Sequence, residues 1–121
     1  MITVFVIDAD PAVRLTAKRI LEAAGFTVIA VADAASALDR LAALRADLVI
    51  CDIDAAGPTG EAAVNAIGDV DPSAQMLVLF PKHRDTAGML PYVRNALGKP
   101  FTASELLTKV RRSLVGPAPR P

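Results

Sequence analysis

The sequence predicts an α/β protein in which a doubly wound parallel sheet is covered by helices on both faces. Two observations carry this. Short runs of strand-forming residues alternate five times with segments of helical periodicity across 121 residues. The runs are also nearly continuous in apolarity, as strands buried on both faces require. A composition that is 53% hydrophobic, rich in Ala and without Trp suits small-faced helices packed on such a sheet.

The first strand is read at residues 2 to 8, ITVFVID, ending at Asp8. Asp10 then precedes Pro11, a carboxylate at an N-cap before a proline at the first helical position. Val13, Ala17, Ile20, Leu21 and Ala24 follow at helical spacing, and Gly25 closes this helix. Residues 26 to 31, FTVIAV, form a second strand. Asp33 or Ser36 can cap the next helix, whose apolar side includes Ala37, Leu38, Leu41 and Leu44.

DLVICD, residues 47 to 52, reads as a third strand, followed by a loop DAAGPTG with Gly57, Pro58 and Gly60. A third helix is expected around residues 61 to 68, with Ala62, Ala63, Ala66 and Ile67 apolar. QMLVLF is the fourth strand. From Lys82 to Gly98 the pattern weakens, since Gly88 and Pro91 interrupt a short helix and YVRNAL is only a passable fifth strand. LGKPF leads into a last helix with Thr102 or Ser104 near its start and Leu106, Leu107, Val110 and Leu114 along one side. The domain is thus expected over residues 1 to 115, with 116 to 121, GPAPRP, as a Pro-rich tail or the start of a linker.

Thirteen basic and thirteen acidic residues cancel, and no basic run marks a surface for nucleic acid or anionic lipid. The partners expected are proteins or small anions. No apolar run approaches a bilayer's span and no positive leader precedes the first strand, so a cytoplasmic location is expected. The single Cys51 cannot form an internal disulfide and reads as a small buried hydrophobe.

For five strands in the flavodoxin-like (βα)5 order 2-1-3-4-5, strands 1 and 3 are neighbours and the functional crevice lies beyond their carboxyl ends. Asp8 and Asp52 would share it, with Lys99 approaching from just past the fifth strand. Two such acids raise each other's proton affinity unless a cation joins them.

From VFVIDAD through LVICDIDAAGPTG to GKPF the chain resembles the receiver domain of two-component response regulators over nearly its whole length. The resemblance implies that Asp52 accepts a phosphoryl group from a histidine kinase or a histidine phosphotransfer protein. It implies that Lys99, followed by Pro100, contacts that group, and that a downstream protein partner reads the result. Asp8 matches the first acid of the Mg2+-holding pair. Asp54 lies on the loop that gives the metal a backbone carbonyl, so its carbonyl or side chain is a further candidate ligand.

Three positions depart from the family pattern. Ala9 stands where the second acid is usual, Phe80 where a Ser or Thr binds a phosphoryl oxygen, and Ala96 where a switch aromatic is usual. Mg2+ is therefore expected to bind weakly, and the usual relay from hydroxyl to ring has no parts. The Lys-Pro bond of receivers is often cis, which makes Lys99 a structural position as well. Asp10 is explained by its cap, Asp54 equally well as a solvated loop acid, and His83 as a surface residue. The reading is an atypical receiver that is not an enzyme; a phosphorylation-independent pseudo-receiver is the alternative. FVIDADPAV and VICDIDAAG also resemble the DxD strands of haloacid-dehalogenase phosphatases, but the chain is short for that fold. No Ser/Thr-rich phosphate loop follows the first strand to suggest a flavin site.

Overall fold

Five parallel strands pair in the order 2-1-3-4-5, as the alternation predicts. The structure, a computed structural model, describes residues 1–52, 67, 69, 70, 73–81 and 95–115. In chain order the elements are β1 (Thr3–Ile7), α1 (Pro11–Ala23), β2 (Thr27–Val31), α2 (Ala34–Leu41), β3 (Leu48–Asp52), β4 (Gln75–Pro81), β5 (Ala96–Lys99) and α3 (Ala103–Val115). The loop after Asp52, most of the helix expected over 61 to 68, the segment 82 to 94 and the tail 116 to 121 lie outside the described residues. Ile67, from that expected helix, is helical and fully buried.

Local chemistry sets the helix ends. Asp10 caps α1 by accepting from the Ala12 N–H at 2.9 Å, with Pro11 at the first helical position. After α1, Gly25 takes φ +96°, a left-handed conformation that closes the helix at little steric cost. Asp33, rather than Ser36, caps α2, and its carboxylate accepts from the Ser36 N–H at 2.7 Å. Those hydrogen bonds hold the Asp33 carboxyl below its ordinary pKa. Thr102 opens α3 with a reciprocal capping box: Glu105 N–H donates to Thr102 Oγ1 at 3.1 Å and Thr102 N–H to Glu105 Oε1 at 2.9 Å.

Side-chain alternation along the strands divides the core between the two sheet faces. On one face Val4, Val6, Leu48, Ile50, Leu77, Leu79 and Leu97 pack under Ala17 and Leu21 of α1 and Leu106 and Val110 of α3. On the other, Phe5, Ile7, Val49 and Cys51 pack under Ala37 and Leu41 of α2 and under Ile67. Every residue of β3 is buried, as its central place demands.

The structure corrects four expectations. The fifth strand is described over Ala96–Lys99, where Val78 pairs with Ala96 through Pro81 with Lys99, so the expected strand extends past YVRNAL; Asn95 lies outside it, and residues 92 to 94 lie outside the described residues. Lys99 therefore ends the strand instead of following it. Leu44 lies beyond the end of α2 and is 47% exposed, and Ala24 is exposed just past α1. The strands β1, β2 and β3 begin one residue later than expected, at Thr3, Thr27 and Leu48, and β1 ends at Ile7. No described helix is long and apolar enough to cross a membrane.

Candidate functional site

Register brings the two acids level. Ile7 pairs with Cys51 across β1 and β3, so Asp8 and Asp52, each one residue on, stand side by side at the carboxyl edge of the sheet. Both are buried, Asp8 completely. Lys99 ends β5, two strands away from Asp52, and its long side chain reaches back along the carboxyl edge of the sheet. Its Nζ lies 2.8 Å from Asp8 Oδ2 and 3.3 Å from Asp52 Oδ1. Burial acts to lower the Lys99 pKa, but its hydrogen bonds to Asp8 and Asp52 and their negative charges outweigh burial and leave it raised. The bond from Lys99 to Pro100 is cis.

Asp8 is tied at every polar group. Its N–H donates to Val31 O at 3.1 Å, its carbonyl accepts from Arg14 Nη1 at 2.7 Å, its Oδ1 accepts from the Asp10 N–H at 2.9 Å, and its Oδ2 accepts from Lys99. Arg14 was not singled out by the sequence reading. Its partners are backbone carbonyls, so no sequence pattern marks it.

Ala9 is exposed beside this pair and carries no donor atom. Asp10 turns its carboxylate to the α1 cap, and Asp54 lies outside the described residues. Among the described residues no three His, Cys, Asp or Glu side chains group to hold a metal ion. Mg2+ prefers six oxygens in octahedral array and accepts one or two carboxylates with waters. Asp8 and Asp52 supply the two carboxylates of that range, without the second adjacent acid at position 9.

Phe80 and Ala96 are on the opposite face of the sheet from the acids. Leu77 and Leu79 face α1 and α3 whereas Met76 faces α2, so the pleat turns Phe80 with Met76 toward α2. Val78 pairs with Ala96 and Phe80 with Gly98. Strand β5 thus offers only a methyl group and a hydrogen beside the Phe80 ring.

Two further features adjoin the site. Cys51 is buried behind Asp52, and burial, then the charges of Asp52 and Asp8, push its thiol up to about 12. A cavity of about 570 Å³ opens between Ala12, Val13 and Thr16 of α1 and Pro100 and Phe101, with Lys99 in its wall.

A doubly wound sheet with two acids and a lysine at its switch point defines the class, and comparison with known proteins gives the family. Residues 4–111 match the response regulator receiver domain. The chain belongs to that family. It is 36% identical over 115 residues to the C4-dicarboxylate transport transcriptional regulatory protein DctD of Rhizobium meliloti, and 28% identical over 114 to the DNA-binding transcriptional regulator NtrC of Escherichia coli. These alignments cover 92% of this chain but 25% and 24% of those proteins, so the chain spans about a quarter of their length. The chemotaxis response regulator CheY4 of Vibrio cholerae superposes with a TM-score of 0.83 at 25% identity, covering 93% of this chain and 98% of CheY4. A receiver protein from Sinorhizobium medicae gives 0.82 at 27% identity, covering 95% of each.

Proposed function

We propose that the chain is an atypical receiver of two-component signalling in which Asp52 accepts a phosphoryl group with weak help from metal and without the usual readout. The observation that carries this reading is the Lys99 ammonium at 2.8 and 3.3 Å from Asp8 and Asp52. A lysine placed there holds two carboxylates together and supplies positive charge where phosphoryl oxygens would gather.

In the proposed step a carboxylate oxygen of Asp52 attacks the phosphorus of a donor phosphohistidine, the P–N bond breaks as the O–P bond forms, and the imidazole leaves to take up a proton. Asp8 and Asp52 would hold Mg2+, whose contribution is to neutralise charge on the transferring group. Lys99 stays with Asp8 and moves its second contact from Asp52 to the new phosphoryl oxygens. The donor is proposed to be a histidine kinase or a phosphotransfer protein. The apolar cleft between α1 and Phe101, next to Lys99, offers that partner a seat close to Asp52. The module is read as a signalling part of the cytoplasm rather than an enzyme that turns over substrate.

A second reading, a pseudo-receiver that works through protein contacts alone, is favoured by Ala9 and by Phe80 beside Gly98 and Ala96. Incubation with Mg2+ and beryllofluoride or a small acyl phosphate decides between them. Asp52-dependent mass change or amide shifts, absent from Asp52→Asn, support the acceptor; no response at millimolar donor leaves the pseudo-receiver.

A further inference from the structure

We propose that Arg14 is the positioning residue of the site, fixing Asp8 through its backbone from the α1 side. The β1 ladder ends at Ile7, so the carbonyl of Asp8 lies past the last strand pairing and needs a donor from elsewhere. Arg14, half-buried in the first turn of α1, reaches back to it. One nitrogen, Nη1, lies 2.7 Å from Asp8 O and 3.4 Å from Ala9 O.

Among the described residues this guanidinium has no carboxylate partner, so its contacts go to the two carbonyls of the turn. A guanidinium is charged at all working pH, and each terminal nitrogen carries two N–H donors, so Nη1 can serve both carbonyls. The consequence for the carboxylate is direct. With carbonyl and N–H held at 2.7 and 3.1 Å, the Asp8 side chain is aimed so that Oδ1 meets the Asp10 N–H and Oδ2 meets Lys99.

This inference takes Asp8 to belong to the site proposed above, but its test reads the turn itself. Compare the intact chain with Arg14→Met and Arg14→Lys by amide hydrogen exchange and proton NMR shifts at Asp10, whose N–H reports the Asp8 carboxylate. In Arg14→Met the Asp10 amide should exchange about tenfold faster and shift upfield, while Leu21 and other core amides follow only the global stability. Arg14→Lys should restore much of the protection. An Asp10 amide that is unchanged in Arg14→Met, or that moves only in step with the core amides, overturns the proposal. Should Arg14→Met fail to fold, Arg14→Ala, which removes the donor without adding an apolar stem, takes its place: faster Asp10 exchange beyond that of the core amides supports the proposal, and wild-type exchange overturns it. A wild-type chain that ignores beryllofluoride would remove the acceptor reading and leave this comparison intact.

Discussion

Asp8 and Lys99 stand ninety-one residues apart in the chain and 2.8 Å apart in space, and their contact ties the first strand's end to the last strand's end. The same ammonium reaches Asp52, so one cation serves two buried acids.

Removing that cation should therefore be expensive. Lys99→Met leaves Asp8 and Asp52 adjacent without it, and since the lysine side chain is 20% exposed the loss should be about 2 kcal/mol, below the ~3–5 of a fully buried pair. Urea unfolding checks this, and Asp8→Asn combined with Lys99→Met should lose less than the sum of the single changes. An additive result would mean that the contact contributes nothing to stability.

The pH dependence has a defined sign. Lys99 binds its proton more tightly in the folded chain than in the unfolded one, so its stabilisation is complete below the ordinary lysine value of 10.5 and fades as pH rises through the higher folded value. Unfolding curves from about pH 9 to pH 12 should show wild type losing stability faster than Lys99→Met. Parallel curves would contradict the raised pKa.

Ala9→Asp should add the missing oxygen ligand. Mg2+ affinity, followed by titration of amide shifts, is expected to rise about tenfold or more, because a second adjacent carboxylate enters the set. Unchanged affinity would show that the weak metal grip has another cause.

Asp10 should behave as a cap. Asp10→Ala is expected to lose about 1 kcal/mol of stability and leave Mg2+ affinity where it was. A drop in metal affinity instead would make Asp10 a ligand.

Phe80→Thr should lose about 2 kcal/mol, less than a fully buried ring would, since Phe80 is half-buried. Adding Ala96→Tyr should recover part of it, because the pleat and the pairing of Phe80 with Gly98 place both side chains on one face. No recovery in thermal unfolding would show that the two do not share that space.

Much of this was legible in the sequence because the apolar runs are long and the caps specific. DP before α1, Asp33 before α2 and Thr102 with Glu105 at α3 encode their helix starts locally, and each does what its pattern says. The meeting of Asp8, Asp52 and Lys99 was legible too, from strand order alone. What local pattern could not give was β5. ALGK has weak strand propensity, and it is a strand because β4 supplies a paired edge. Leu44 misled, since helical spacing continued after α2 had ended. Arg14 was missed because its partners are backbone carbonyls, which leave no mark on a sequence.

The lone thiol gives this chain a practical property. Cys51 is 1% exposed and its pKa is pushed up to about 12, so near neutral pH it is both shielded and almost entirely protonated. Alkylating reagents should pass it by in the folded state. A cysteine introduced at an exposed position such as Thr16, on the rim of the α1 cleft, can then be labelled selectively on the otherwise native chain. The protein carries its own silent background for attaching a fluorophore or a spin label.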